Sequence, residues 1–345
     1  MKAGIVGCGG ITPATLGHIA GADEIRIEAV MDIRTEAAEY IAHSFGIPRH
    51  YSNYEDFLDD DIELVIINSP NDCHRDQAVK AFEAEKHCLV QKPLARNVHE
   101  AEDIIDASIR AKKLLGMVMF ERSDPIYRQM REMVQTDCFG VITAVRSMLA
   151  HTNHLRRPPS PDNWRSSPEK IGGGSFIQLA IHHVDLSQWI LGQTITEVTA
   201  LSSSIIMSDR FPKDETTGAV FRYDNGTIGL FLSSFTSVAD SLEFFGTSGN
   251  IMRDDGGISW QSCKPFDGDV WKCIRADEIH TLTMPDLAAN AEKLHHLYEP
   301  HRAFALAIRG LAAVETPGKV GLNSLKIVEA VGKSAKKGKS VSIEY

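Results

Sequence analysis

The sequence predicts two domains: an α/β domain with a doubly wound parallel sheet, then an α+β domain with a mainly antiparallel open sheet. Strands and helices alternate over residues 1–121, and a glycine-rich turn joins the first strand to the first helix. Runs rich in β-branched residues dominate residues 122–345 instead. A chain of 345 residues is also too long for one typical hydrophobic core. We therefore place the domain boundary at residue 121.

The composition is that of an ordinary globular chain. It is 43% hydrophobic and 24% charged, which argues against disorder and against a membrane protein. The formal net charge of −10, without a basic stripe, argues against nucleic acid as a partner. Six cysteines are scattered without a CxxC pair, which predicts reduced core thiols and no metal site. Because the sequence also shows no export signal, we expect a cytoplasmic protein.

The first element is a short apolar strand at residues 2–6 that ends at a glycine-rich turn. Strand, glycine turn and helix follow one another in the order of a dinucleotide-binding unit. Gly7 permits the tight turn, and Gly9 lets backbone N–H groups approach a pyrophosphate. Thr12 replaces the third glycine of the fingerprint; its hydroxyl can cap the helix while Pro13 takes the first helical position. A glycine turn without a ligand is the alternative interpretation.

The second strand, at residues 25–31, ends at Asp32, about twenty residues after the glycines. A carboxylate there accepts hydrogen bonds from the ribose hydroxyls of NAD and repels the 2′-phosphate of NADP. Arg34 can pair with that phosphate, so the use of NADP stays open. The cofactor-binding residues expected in this part of the chain are Gly7, Gly9, Gly10, Ile11, Thr12, Asp32, Ile33 and Arg34.

Alternation of helices and strands continues to the domain boundary. The predicted elements are, in order, a helix capped by Thr35 and ending at Gly46, a short helix with a capping box at Ser52 and Glu55, a strand at 63–67, a strand at 87–90, a helix from the capping box Asn97–Glu100 to residue 113, and a strand at 114–120.

A polar turn follows the strand at 63–67. Ser69, Pro70 and Asn71 would line the cofactor cleft, because ligands of open α/β sheets bind at the carboxyl ends of the strands. His74 opens the next helix, from which it can reach the nicotinamide. A surface histidine is the alternative.

Gln91 and Lys92 follow the strand at 87–90 at the same edge. A lysine held there by the φ-fixed Pro93 can be partly desolvated, which favours its neutral form and suits it to proton transfer. A solvated lysine before a turn is the alternative.

A different pattern begins after residue 121. We predict a helix at 125–135 and strands within 141–149, 195–207 and 217–236. The last run is broken by Asp-Asn-Gly at 224–226, the strongest short hairpin signal, so the sheet is antiparallel with its helices on one face. Phe231, Phe244 and Phe245 would make the other face a large apolar patch. We therefore expect a second subunit to cover it, in a homodimer or homotetramer.

Two segments of this second domain carry candidate substrate-binding residues. The loop at 151–170 combines hydrogen-bond donors with an aromatic plane, and the helix after the glycines at 172–174 carries polar residues spaced by four and three, hence on one face. Such a stripe is either a buried strut or a site. The candidates are His154, Trp164 and Arg165 in the loop and Gln178, His182 and Asp185 in the helix.

Together these motifs resemble the glucose-fructose oxidoreductase / inositol dehydrogenase / MocA family over nearly the whole chain. The resemblance is carried by the glycine turn, Ser69-Pro70-Asn71 with His74, Gln91-Lys92-Pro93, Trp164-Arg165 before the three glycines, and His182 with Asp185. It implies a Rossmann domain, a C-terminal domain for substrate binding and oligomerisation, and NAD(P)-linked oxidation or reduction of a sugar or cyclitol hydroxyl.

The resemblance also assigns catalytic residues. Lys92 matches the lysine of the family's Glu-Lys-Pro motif, and His182 matches the histidine of its Gly-Ile-His motif. In our hypothesis a polyol hydroxyl gives its proton to His182 while Lys92 stabilises the developing alkoxide. The family's usual aspartate, four residues before that histidine, is Gln178 here. An amide cannot relay a proton, so His182 acts with Lys92 alone, or Gln178 marks a different substrate or reaction.

Two other classes of function stay open. One is an NAD-dependent glycosidase or lyase that acts through transient oxidation at C3, and the other is a catalytically silent dinucleotide-sensing regulator. Stoichiometric NADH formation with free sugars distinguishes a dehydrogenase from the first, and tight NAD binding without turnover identifies the second. The sequence leaves open which sugar, which hydroxyl and which direction.

Overall fold

The chain forms two compact units. The computed structural model describes residues 1–136, 139–156, 163–211, 214–254, 257–262, 280–283 and 299–345. The first unit comprises Met1–Phe120, Glu169–Gly172 and His296–Leu325, and the second comprises Glu121–Pro168, Gly173–His295 and Lys326–Tyr345.

Two later segments therefore return to the first unit, which a single boundary at residue 121 does not describe. The backbone N–H of Met117 donates to the carbonyl oxygen of Thr316 (2.8 Å), and the ring of Phe304 lies where a Cβ on Gly116 would be. These contacts attach the segment around residues 304–316 to the first sheet. Contacts between distant residues leave no trace in the local pattern from which the boundary was predicted.

The first unit contains a six-stranded parallel sheet in the order β3-β2-β1-β4-β5-β6, which confirms the predicted doubly wound fold. Its strands are β1 (Lys2–Val6), β2 (Arg26–Met31), β3 (Arg49–Tyr51), β4 (Leu64–Ile67), β5 (His87–Gln91) and β6 (Leu115–Val118). The order of the strands reverses between β1 and β4. In this class of sheet, ligands bind outside the carboxyl ends of the strands at such a reversal.

The helices between these strands are α1 (Thr12–Ile19), α2 (Thr35–Phe45), α3 (Tyr54–Leu58), α4 (His74–Glu83) and α5 (Val98–Ala111). Asn97 caps α5 as predicted, because its Oδ1 accepts a backbone N–H of the first turn (2.9 Å). Two predicted caps are off by one residue. Asn53, not Ser52, caps α3, and Thr35 is the first residue of α2 rather than its cap.

The second unit is built on a sheet in which nine strands are described, in the order β14-β13-β12-β11-β7-β10-β9-β8-β15. They are β7 (Ile142–Ala150), β8 (Ile195–Ser203), β9 (Thr216–Tyr223), β10 (Ile228–Ser234), β11 (Ala239–Gly246), β12 (Gly249–Asp254), β13 (Gly257–Ser262), β14 (His280–Thr283) and β15 (Val341–Ser342). All neighbouring strands are antiparallel except β7 and β10. The mainly antiparallel sheet is thus confirmed, and Gly226, at φ 91°, turns its predicted hairpin.

The remaining described helices are α6 (Phe120–Ser123), α7 (Pro125–Gln135), α8 (Asn153–Arg156), α9 (Pro168–Ile171), α10 (Ile181–Leu191), Pro300–Ile308 and Gly318–Lys337, with a 3₁₀ turn at Trp164–Ser166 and a π turn at Phe176–Ala180. None of the helices in the described ranges is both long and apolar enough to cross a bilayer. Cys8, Cys73 and Cys88 are unbridged thiols; Cys138, Cys263 and Cys273 lie outside the described residues.

One face of the second sheet is buried beneath α7 and α10. Phe231 and Phe244 lie in this core, so the expectation that they form an exposed patch is wrong. Strand residues alternate between faces, and both faces of these strands carry apolar side chains, so the sequence does not fix which face is inward. The outward face exposes Leu201, Val220 and Leu230 instead.

Candidate active site

The glycine turn after β1 leaves space for a ligand. A Cβ on Gly7, at φ 93°, would lie 2.7 Å from the backbone nitrogen of Ser69, so only glycine lets the two strand ends approach this closely. By contrast, a Cβ on Gly9 or on Gly10 would meet no atom of the described residues within 4 Å. The turn is tight at its base and open at its tip, as a pyrophosphate cradle requires.

Thr12 takes part in this turn, though not as the predicted helix cap. It is itself the first residue of α1, with Pro13 at the second position. Its hydroxyl donates to the carbonyl oxygen of Gly7 (2.6 Å) and accepts from Nδ2 of Asn68 (3.2 Å). Thr12 therefore ties the turn to the end of β4. Ile11, the residue before the helix, makes no capping hydrogen bond through its side chain.

Asp32 sits at the end of β2 and points back to the glycine turn. Its Oδ2 accepts the backbone N–H of Cys8 (2.9 Å), and its Oδ1 accepts the backbone N–H (3.0 Å) and Nε (3.2 Å) of Arg34. Burial raises the pKa of Asp32, but the hydrogen bonds from Arg34 and Cys8 outweigh it and hold the pKa below its ordinary value. The carboxylate is therefore charged at neutral pH. Ile33, 83% exposed beside it, offers an apolar surface.

The ring of His74 holds the residues that follow β4. Its ring is fully buried, with Nδ1 3.0 Å from the carbonyl oxygen of Pro93 and Nε2 3.0 Å from that of Ser69. This corrects the expectation that His74 binds the cofactor, because both ring nitrogens are engaged and no solvent reaches the ring. Burial lowers the pKa of this imidazole despite those two carbonyl contacts. His74 is a strut between the ends of β4 and β5.

Ser69, Pro70 and Asn71 form the polar turn itself. The Ser69 hydroxyl donates to Oε1 of Gln77 (2.5 Å), and Nδ2 of Asn71 donates to the carbonyl oxygen of Ile171 (3.0 Å). Both side chains are buried, while Pro70 is half-buried. The turn is thus fixed by the hydrogen bonds of its own side chains.

Lys92 stands directly after β5, at the carboxyl end of the parallel sheet, as predicted. It is half-buried; its backbone N–H donates to Oε1 of Gln91 (3.0 Å), and the Lys92–Pro93 peptide bond is cis. The amide nitrogen Nε2 of Gln91 is buried and has no hydrogen-bond partner within the described part of the chain. Unsatisfied buried donors are rare in proteins, so this one fits a ligand acceptor.

The first unit therefore fits a dinucleotide on three observations of its own residues: open space before Gly9 and Gly10, a charged carboxylate at Asp32, and an unsatisfied donor at Gln91. The open space matches the pyrophosphate of NAD, the carboxylate matches its ribose hydroxyls, and the donor matches a hydrogen-bond acceptor at its polar end.

In the second unit, Gln178 and His182 flank the junction of a π turn and an α-helix. Gln178 lies within the π turn Phe176–Ala180, and His182 lies in the first turn of α10. The sequence predicted one continuous α-helix over this segment, whereas the π turn changes the angle between the side chains of Gln178 and His182 around the helix axis. Single π turns are frequent at functional sites, because they reorient side chains within a helix.

Asp185 is not a substrate ligand. Its carboxylate makes a two-pronged ion pair with Arg122, through Nε (2.7 Å) and Nη2 (2.6 Å), and its side chain is only 2% exposed. The Arg122 guanidinium also lies 5.6 Å from the ring centre of Trp189. Asp185 therefore anchors α6 to α10, which corrects its predicted role. Its partner is distant in sequence and could not be found from the helical spacing.

A carboxylate that the sequence analysis missed lies beside His182. Oε1 of Glu121, in α6, is 2.6 Å from Nδ1 of His182. The two side chains are 27% and 15% exposed, so the pair is partly open to solvent. No local signal links these residues, because Glu121 follows β6 and His182 begins a helix much later in the chain.

The candidate loop is described on either side of residues 157–162. His154 is buried, and its ring stacks on that of Phe235 with centres 3.9 Å apart, so it belongs to an aromatic cluster rather than to an exposed set of donors. Trp164 and Arg165 are half-buried in the 3₁₀ turn, and the Arg165 guanidinium stacks on the indole at 4.3 Å. That stacked pair keeps the properties expected of a sugar-binding surface.

Two family models match the chain. The model described as "Oxidoreductase family, NAD-binding Rossmann fold" matches residues 1–119, and that of the GFO/IDH/MocA C-terminal domain matches residues 127–252. A 1,5-anhydro-D-fructose reductase from Ensifer adhaerens is 29% identical over 92% of this chain and 91% of its own length. Myo-inositol 2-dehydrogenase from Thermotoga maritima is 24% identical over 74% of this chain and 75% of its own.

Solved structures share the fold. The WlbA dehydrogenase from Bordetella pertussis, in complex with NADH and UDP-GlcNAcA, superposes with a TM-score of 0.84 at 24% identity, over 100% of this chain and 98% of its own. A levoglucosan dehydrogenase in complex with NADH and levoglucosan superposes with a TM-score of 0.84 at 20% identity, over 100% and 99%.

Proposed function

Because the chain belongs to the Gfo/Idh/MocA oxidoreductase family and acts on CH–OH groups with NAD(P), we propose that its substrate is a sugar, sugar derivative or cyclitol with a secondary hydroxyl. The related enzymes act on anhydrofructose, inositol and levoglucosan, which are all small polyhydroxylated rings. The single observation that carries the proposal is the presence of both candidate proton-handling residues, Lys92 and His182, in a chain whose matched Rossmann domain binds NAD.

NAD is the cofactor, and its nicotinamide ring accepts or returns the hydride. We assign its phosphates to the turn at Gly7, Gly9 and Gly10 and its ribose to Asp32. The Asp32 carboxylate is charged at neutral pH and already holds the Arg34 guanidinium, which favours NAD over NADP. The adenine would pack on the exposed Ile33, and Gln91 would donate to the polar end of the cofactor.

His182 is the proposed general base. It takes the proton of the substrate hydroxyl, and an imidazole is suited to this near neutral pH. Lys92 is the proposed electrostatic partner, whose ammonium orients the hydroxyl oxygen and stabilises the alkoxide as the C–H bond breaks. Gln178 would exchange a hydrogen bond with a neighbouring hydroxyl, and the stacked pair of Trp164 and Arg165 would hold the ring of the sugar.

The test is a panel of inositols, aldoses and glycosides, assayed separately with NAD and NADP by the absorbance of the reduced cofactor. Stoichiometric NADH from at least one free polyol supports the proposal. Release of an aglycone or an elimination product without net NADH would instead support transient oxidation at C3. Tight NAD binding without turnover of any member would contradict both and favour a regulatory protein.

We also propose that the outward face of the second sheet joins two copies of the chain. Val220 on β9 pairs across the strands with Leu230 on β10, and Leu201 on β8 lies near them, all three exposed. Contiguous apolar surface of this kind is rarely left open on a monomer. Light scattering at micromolar protein should give a multiple of 38.0 kDa, and Leu230→Glu should reduce it to one copy. A monomeric mass for the unchanged chain would refute the proposal.

A further inference from the structure

We propose that Glu121 is the carboxylate that positions His182 and supports its protonation, in place of the aspartate that Gln178 replaces. The proposal rests on the function proposed above, in which His182 is the base. Glu121 acts through His182 and is therefore a positioning residue.

The distance between the two side chains carries the proposal. Oε1 of Glu121 lies 2.6 Å from Nδ1 of His182, whereas Oδ1 of Asp240 lies 3.5 Å from Nε2 of the neighbouring His183. The contact of Glu121 with His182 is an ion pair without the alignment of a hydrogen bond, so the carboxylate acts on the ring through its charge. A carboxylate beside Nδ1 favours the tautomer whose hydrogen is on Nδ1 and leaves Nε2 as the acceptor of the substrate proton. It also stabilises the imidazolium that forms. An amide at residue 178 supplies neither effect, because it carries no negative charge.

The element that presents Glu121 is held firmly. The next residue, Arg122, makes the buried two-pronged ion pair with Asp185, one helical turn after His182 on α10. Asp124, which follows α6, caps α7 by accepting the backbone N–H of Ile126 (2.8 Å). The chain is therefore tied directly after Glu121, at Arg122 and again at Asp124. A carboxylate that must orient a base needs this kind of support, since a small misplacement lowers the rate sharply.

The step is balanced within the proposed reaction. The substrate O–H proton passes to Nε2 of His182, the C–H electron pair leaves with the hydride to the nicotinamide, and the carbon–oxygen bond becomes double. Glu121 stays ionised throughout, as the carboxylate does in a hydrolase triad. The other charged groups on these elements are already engaged. Arg122 pairs with Asp185, and His183 contacts Ser147 and Asp240.

The first experiment replaces Glu121 by Gln in the full chain, assayed with NAD and the panel polyol of highest kcat/KM. We expect kcat to fall about 100-fold and KM to change less than about threefold, because the effect is on proton transfer. The acid limb of the kcat–pH profile should move to lower pH, since the amide no longer stabilises the imidazolium. Glu132→Gln, an exposed change on α7, is the matched control and should alter neither quantity.

A second variant tests whether Glu121 takes the place of a carboxylate at position 178. Adding Gln178→Asp to Glu121→Gln restores a carboxylate at the position where the family carries it, so kcat should recover at least about tenfold. Unchanged kcat and an unmoved acid limb in Glu121→Gln would overturn the proposal, provided the unchanged chain turns over a polyol.

A spectroscopic readout separates this proposal from the proposed function. The ¹⁵N resonances of His182, assigned by their loss in His182→Asn, should show the hydrogen on Nδ1 in the unchanged chain and a mixture of tautomers in Glu121→Gln. A hydrogen on Nε2 in the unchanged chain would overturn the role of Glu121. If the chain oxidises no polyol, the proposed function fails, and this readout still decides whether Glu121 positions His182. It also decides the case if Glu121→Gln folds poorly, because it is measured on the unchanged chain.

Discussion

His182 and His183 are neighbours on α10, and a carboxylate lies beside each ring, but the surroundings of the two rings differ. The His183 side chain is 2% exposed; its Nδ1 lies 2.8 Å from the Ser147 hydroxyl and its Nε2 lies 3.5 Å from Oδ1 of Asp240. The other oxygen of Asp240 pairs with Arg253. His182 is 15% exposed, and Glu121 beside it is 27% exposed.

The comparison separates a structural histidine from a reactive one. Nδ1 of His183 is hydrogen-bonded to Ser147, Nε2 lies within ion-pair distance of Asp240, and the ring is only 2% exposed, so a substrate does not reach it. The contact of His182 uses Nδ1, and the ring and its carboxylate are both partly open to solvent. A residue that accepts a substrate proton must be within reach of the substrate, whereas a buried structural histidine needs partners of its own for its polar atoms.

The largest expected effect tests this contrast directly. His182→Ala should lower kcat by about 10²- to 10⁴-fold, the usual contribution of a positioned base, with a Tm within about 2 °C of the unchanged chain. His183→Ala should do the reverse, losing about 1–3 kcal/mol of unfolding free energy because the buried hydroxyl of Ser147 loses a hydrogen bond, while kcat stays within about threefold. Thermal unfolding and steady-state kinetics on both variants measure this. An exchange of the two phenotypes would break the comparison.

The next effect concerns the anchor that holds α6 beside α10. Asp185→Asn leaves the Arg122 guanidinium buried without a counter-charge, so we expect a loss of about 3–5 kcal/mol of unfolding free energy. Denaturation by urea measures the loss. Glu121→Gln, on the same helix as Arg122 but partly exposed, should lose less than about 1 kcal/mol. Equal losses of unfolding free energy in the two variants would show that the ion pair of Arg122 and Asp185 stabilises the protein no more than an exposed pair does.

Lys92 and His74 show the same contrast in the first unit. Lys92 is half-buried directly after β5, whereas the ring of His74 is fully buried. Lys92→Met should reduce kcat at least about 100-fold, because the alkoxide loses its electrostatic partner. Methionine keeps the length and the apolar stem of the lysine side chain, so the Tm and the affinity for NADH should change little. Near-normal turnover in Lys92→Met, measured with the best polyol of the panel, would remove Lys92 from the mechanism.

The cofactor side of the molecule was predictable because its signals are local. Gly7, Asp32 and Lys92 each follow a short apolar strand, and parallel strands bring their carboxyl ends to one edge whatever the rest of the chain does. Even there, His74 was misassigned, because the two carbonyl groups that contact its ring nitrogens are set by the fold of the turns around Ser69 and Pro93.

The substrate side was predictable only in part, because its roles depend on partners far along the chain. Spacing placed Gln178, His182 and Asp185 on one helical face, but it could not show the π turn or that Arg122 neutralises Asp185. The carboxylate of Glu121 was missed for the same reason. Sequence spacing identifies candidate residues, while long-range pairing decides which of them are struts.

The smallest expected effect is the pH dependence of the contact made by His183. Burial raises the pKa of Asp240, but its contacts with His183 and Arg253 outweigh burial and lower the pKa to about 2. A carboxyl whose pKa is depressed on folding stabilises the protein above its unfolded value of about 3.9, and this stabilisation is lost as the pH falls toward 2.

Asp240→Asn should therefore cost about 1–2 kcal/mol of unfolding free energy at pH 6, discounted for its partial exposure, and progressively less below about pH 4. Urea denaturation of both chains from pH 6 to pH 3 measures the difference. Asp209→Asn, an exposed carboxylate in the same unit, controls for the loss of one charge. A difference between the two chains that stays constant down to pH 3 would show that the Asp240 carboxylate does not stabilise the His183 strut. The distinction between the adjacent histidines would then rest on burial alone.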